Sequence, residues 1–294
     1  MTAFVTKINS YKKGIFSFLI VLMFMPIGHA LMVLNEKVLV DQKFIGAFII
    51  GFLGVISLIL GIRKNHKQAT ATIFGLLAGI LVWTGWVEFS FVWMAEKLNV
   101  APLIENGEVA TKPEYLVMMS SLGLLLTLLL FFIFRFTRCQ FFNGFQKILG
   151  MKDRFKTDGQ VSKMTAMTVF IETIMILWTF YIVLLLVYDK DLAGDKHPAT
   201  YIVAFGSLFW SVYLFLNLIK INKFDYAIRY AVPTVIIFWN FIEVTGRWNL
   251  FKEIWVHPFE HWMENSIILL LLLAFTAYYI KETYTVNSKK VAVN

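Results

Sequence analysis

Eight stretches of about 20 mostly apolar residues follow one another along the chain, near 15–34, 44–62, 72–95, 115–134, 164–188, 201–219, 227–246 and 262–280. A helix needs about 20 such residues to cross the hydrocarbon core of a bilayer. Within that core only helices and closed barrels satisfy their own backbone groups. The alternating ten-residue pattern of an outer-membrane barrel is absent. The expectation is therefore an all-α, polytopic membrane protein with eight transmembrane helices. Composition agrees, since 59% of the 294 residues are hydrophobic and only 16% are charged, against about 25% charged in a typical soluble domain. The first stretch is long enough to span and lacks a small-residue cleavage site, so it reads as a retained helix.

The positions of the charges orient the chain. With the N-terminus placed in the cytoplasm, 19 of the 27 basic residues fall in inner segments, while 12 of the 19 acids fall in outer loops. Positive charge marks the cytoplasmic side, so both termini are expected there, in a bacterial-type plasma (inner) membrane. Attraction to anionic headgroups accounts for the formal net charge of +8 without a nucleic-acid partner. Cys139, the one cysteine, excludes an intramolecular disulfide and any cysteine-rich metal cluster.

An internal repeat is also expected. Trp83, Glu88 and Trp93 in the third stretch are matched by Trp239, Glu243 and Trp248 in the seventh, and Ile62-Arg-Lys-Asn65 is matched by Ile219-Lys-Ile-Asn222. An offset of four spans makes this a 4+4 parallel repeat. The N-terminal half is 1–135 and the C-terminal half 164–294. Between them, 136–163 is a cytoplasmic amphipathic connector; the stretch Arg135 to Arg154, with Phe141, Phe142, Phe145, Ile148 and Leu149 among its bases, is expected to lie on the inner membrane surface.

Ionisable groups inside a bilayer are costly and mark functional positions. His29, Glu88, Glu172 and Glu243 lie within the stretches, and three of them share a depth near the outer side. Glu172 lies toward the inner side, with Arg229 or Asn217 as its expected partner, and Glu243 has Arg247 at i+4. The segment Trp255 to Glu264 places His257 and His261 four residues apart, with a helix expected to begin at Pro258. His29, His257 and His261 are thus candidate nitrogen ligands for a divalent metal ion, with Glu88 and Glu243 as oxygen ligands or catalytic proton acceptors. Trp86, Trp93, Trp248, Trp255 and Trp262 all fall near the outer surface, as an interfacial aromatic belt predicts; the alternative is an aromatic cage for a cationic ligand, with Trp86, Trp93 and Trp248 as candidate walls. Gly75 and Gly79 form a GxxxG segment, which predicts close helix packing.

Several classes are excluded. The chain has no Walker A loop and no dinucleotide fingerprint, no intramembrane Lys for a Schiff base, and too few histidines for a desaturase-type array. Three functions fit what is left: a membrane protein that binds a divalent metal or cationic ligand in an outward-facing Glu/His/Trp pocket, as a metal-dependent enzyme or a binder; a transporter coupled to protons or cations; and a membrane subunit that docks a partner, in a homo- or hetero-oligomer, through its Trp-rich outer face.

Overall fold

Long apolar runs become long helices. In the computed structural model, which describes residues 2–64, 67–105, 108–135, 137, 139–151 and 164–291, they are α1 (Thr2–Val38), α2 (Lys43–Arg63), α3 (Gln68–Val82), α8 (Thr165–Tyr188), α9 (Pro198–Leu218), α10 (Phe224–Arg247) and α11 (Trp262–Val291). A π-helical segment, Trp83–Glu88, continues α3 into α4 (Phe89–Lys97). Pro26 and Pro233 lie inside α1 and α10 without ending either helix.

Among the described residues seven helical stretches are long and apolar enough to cross a membrane, so the chain is a multi-pass membrane protein. The expected fourth span departs from a straight helix. It divides into α5 (Pro113–Met119) and α6 (Leu122–Ile133), bent by 54°, and makes an eighth span only if the pair is counted as one. The break falls on Ser120 and Ser121, whose hydroxyls donate to the carbonyls of Val117 and Met118 at 2.7 and 2.6 Å. Serine competes in this way with the helical ladder. Trp178 of α8 donates to Ser121 Oγ at 2.9 Å and pins the bend. A two-stranded antiparallel hairpin, β1 (Leu103–Glu105) with β2 (Glu108–Thr111), precedes it and is the one sheet among the described residues.

Packing centres on α3, which lies against α2, α8 and α10, while α1 and α9 each pack along α10. Ile20, Leu76, Ile176, Ile228 and Ile237 fill the core and are fully buried. The helix contacts rest on small residues, which let backbones approach closely. A Cβ on Gly75 would lie 2.5 Å from the Ala166 carbonyl oxygen, as the GxxxG segment predicts. In the π segment a Cβ on Gly85 would lie 2.4 Å from the Gly51 nitrogen of α2. On its outer face α2 exposes Phe48, Phe52 and Leu53, the surface lipid would meet. α11 is the most peripheral span, with 11% of its apolar window buried.

Half of the connector can be compared with expectation, because 136, 138 and 152–163 lie outside the described residues. A short helix, α7 (Gln140–Ile148), buries Phe141 and Phe142 against the bundle and leaves Ile148 and Leu149 exposed. Gln146 donates to the Ile133 and Arg135 carbonyls at 2.8 Å, which caps the end of α6. The members of the expected repeat differ locally: Glu88 closes the π segment, whereas Glu243 sits in uninterrupted α-helix.

Gly85→Leu is expected to cost about 1–3 kcal/mol by overpacking the α2 contact and to lower Tm in detergent. Gly206→Ala, whose Cβ meets nothing within 4 Å, is expected to leave Tm unchanged or slightly raised.

Candidate functional site

Four segments bring polar groups to one end of the bundle: the second half of α1, the π segment, and the last three turns of α8 and of α10. On α1, His29 faces α10, and its Nε2 lies 3.2 Å from Glu243 Oε1. Trp239, one turn before Glu243, donates its indole N–H to the same oxygen at 2.6 Å and stacks beside the imidazole at 5.9 Å. Glu243 therefore pairs with His29, not with Arg247 as the i+4 spacing suggests. Arg247 is claimed from outside the helix: its Nε lies 2.6 Å from Asp195 Oδ1, and its guanidinium stacks 4.2 Å over the Tyr188 ring.

Glu88 is buried on the other side of His29 and accepts a hydrogen bond from the Tyr181 hydroxyl at 2.9 Å. His29, Glu88, Thr84 and Tyr181 line a small cavity of about 30 Å³, room for about two water molecules. His29 and Tyr181 also form part of the wall of a much larger cavity, about 310 Å³. Its aromatic lining is Tyr115, Phe180, Tyr181, Tyr188, Trp239 and Trp255, and its polar lining includes Glu243, Asn240, Glu253, Arg247 and Lys112. Lys112 follows strand β2 and lies 3.6 Å from both Glu36 and Glu114.

The structure unites only part of the expected site. His29 and Glu243 touch, and Glu88 shares the small cavity with His29. His257 and His261 line neither cavity. Helix α11 begins at Trp262 rather than Pro258, because 254–261 forms turns whose Ile254 and His261 carbonyls accept from the Asn265 side chain. His257 and His261 thus face local carboxylates, Glu260 at 3.8 Å and Glu264 at 3.5 Å. Among the described residues no three His, Cys, Asp or Glu side chains converge as a metal site.

The tryptophans are redistributed as well. Trp86 lies on Gly51 of α2 and donates to the Phe48 carbonyl at 3.1 Å. Trp93 is half exposed under Lys97, and Trp248 donates to the Asp195 carbonyl at 2.9 Å. None of the three lines either cavity; Trp239 and Trp255, packed together at 4.8 Å, line the larger one. At the opposite end of the bundle Glu172 meets Arg229 Nη2 at 3.3 Å, one of the two partners expected from sequence.

The residues that sequence missed are Tyr115, Tyr181, Tyr188, Asn240 and Glu253. A signal existed for one of them: Asn240 lies at i−3 from Glu243, on a face already marked as polar.

Glu253, in the loop after α10, is held well above the usual carboxylate range, at about 7, by burial first and by the Glu243 carboxylate second, with His29 opposing. A raised folded-state value favours the protonated carboxyl in the native protein, so ionisation weakens the fold as pH rises from the ordinary value near 4.5 to about 7. Wild-type Tm is expected to fall across that window relative to Glu253→Gln, with the difference between them constant above it; thermal scans of both proteins across the pH range check this. The chain matches no protein-family model, no curated protein and no solved structure.

Proposed function

We propose that the protein binds a small organic ammonium ion in the 310 Å³ cavity, which opens to the outer side of a bacterial-type plasma membrane, with both termini in the cytoplasm. The observation that carries this reading is the placement of two carboxylates, Glu243 and Glu253, among six aromatic rings in one cavity. Aromatic faces and carboxylates together attract a cation, and do so most strongly where water is excluded. The volume falls at the small end of ligand pockets, about 300–1,000 Å³. The three bases in the wall are each engaged, Arg247 by Asp195, Lys112 by Glu36 and Glu114, and His29 by one oxygen of Glu243, whose other oxygen is left for a cation.

A divalent metal is the weaker candidate for the same site, since His29 and Glu243 gain no third ligating side chain among the described residues and metal sites use three or more protein donors. The outer placement rests on loop charges. In this reading the two halves are a parallel duplication in which Glu243 serves the ligand while Glu88 took Tyr181 as its partner. Transport of the bound cation is favoured over simple capture by one feature: the bent α5–α6 pair supplies Tyr115 to the cavity wall, and discontinuous helices flank substrate sites in secondary transporters.

Thermal shift in detergent tests the binding reading. Saturating benzylammonium is expected to raise Tm by several degrees, since a 100-fold excess over Kd adds about 2.7 kcal/mol. Benzyl alcohol, its neutral analogue, should do nothing, and Glu243→Gln/Glu253→Gln should lose the shift. Equal shifts with both compounds, or none with either, overturn the proposal. A shift with Zn²⁺ or Mn²⁺ alone, lost in His29→Ala, assigns the site to a metal instead.

A further inference from the structure

We infer that the ligand of this cavity carries N–H groups, as a primary or secondary ammonium does, and is not a quaternary ammonium. The inference rests on the binding reading above and comes from counting hydrogen-bonding capacity around the cavity.

The acceptors have capacity to spare. Both contacts to Glu243, from His29 and from Trp239, fall on Oε1, and Oε2 has no partner among the described residues. The Glu253 side chain likewise has none there. Asn240 is 2% exposed and gives its Nδ2 to Ser207 Oγ at 2.7 Å, which leaves Oδ1 buried without a partner among the described residues. The Tyr188 hydroxyl is also buried without a partner among the described residues. All four residues line the same cavity.

The charged donors around it and two of the neutral ones are engaged, while the Tyr188 hydroxyl can donate as well as accept. The Trp239 indole N–H serves Glu243 and the Tyr181 hydroxyl serves Glu88. Arg247 is held by Asp195 and the Tyr188 ring, and Lys112 by Glu36 and Glu114. A buried acceptor left unmatched is expensive, and an N–H group satisfies it where a methyl group cannot. Aromatic walls by themselves favour quaternary ammonium ligands, so the spare acceptors reverse the preference that the rings alone would set.

Calorimetric titration of the full chain in detergent with benzylammonium and with benzyltrimethylammonium separates the two. Wild-type protein is expected to bind benzylammonium at least about tenfold more tightly. Tyr188→Phe, which removes only a hydroxyl, and Asn240→Leu should each narrow that ratio by weakening benzylammonium while leaving benzyltrimethylammonium unchanged. Tyr188→Phe keeps the test decisive if Asn240→Leu disturbs the contact with Ser207. Quaternary binding as tight as primary, or a ratio that neither variant changes, overturns the inference and leaves the ammonium site standing. Failure of both cations to bind overturns the site and the inference together.

Discussion

Charge buried among apolar helices has to be matched from inside the protein, and in this chain that matching falls largely to one helix. α10 supplies Arg229 to Glu172 of α8, Glu243 to His29 of α1, and Arg247 to Asp195 in the loop before α9. Removing one partner of a buried pair leaves a charge that typically costs about 3–5 kcal/mol. The ties therefore constrain how α1, α8 and α10 slide past one another. The cavity forms where these helices meet, so the charge matching that orders them also sets its walls. Glu88 is the exception: its partner is a phenol rather than a base.

Span-scale features were legible because they depend on length and apolarity, which are local. The long helices follow the apolar runs closely, and Arg229 was identifiable as a partner of Glu172 because little else basic lies at that depth. The bend at Ser120 and Ser121 was missed because the hydrophobic run continues through it; the breaking signal is two hydroxyls within an otherwise unbroken apolar pattern. The hairpin carries a conventional signal, Asn106-Gly107 between β1 and β2, a dipeptide suited to tight two-residue turns, but a short one beside the long apolar runs around it.

The site was only partly readable. Depth within a span follows from counting residues, and this placed His29, Glu88 and Glu243 together. Direction around the helix axis, and what a distant loop contributes, do not follow from counting. Arg247 was assigned to Glu243 because i+4 neighbours are visible in sequence, whereas Asp195, 52 residues away, is not. For the same reason Trp255 was assigned to the interfacial belt although it packs on Trp239, and Trp86 was assigned to the pocket although it seals the contact with α2.

The π-helical segment has a consequence for the whole span that contains it. A π turn takes up one more residue than an α turn, about 100° of helical phase. Before it, α3 presents Gly75 and Gly79 to α8; after it, α4 lies against α5. The segment works as a phase shifter, so the two halves of one membrane crossing keep separate angular registers and each meets a neighbour that a single uninterrupted register would address with the wrong side.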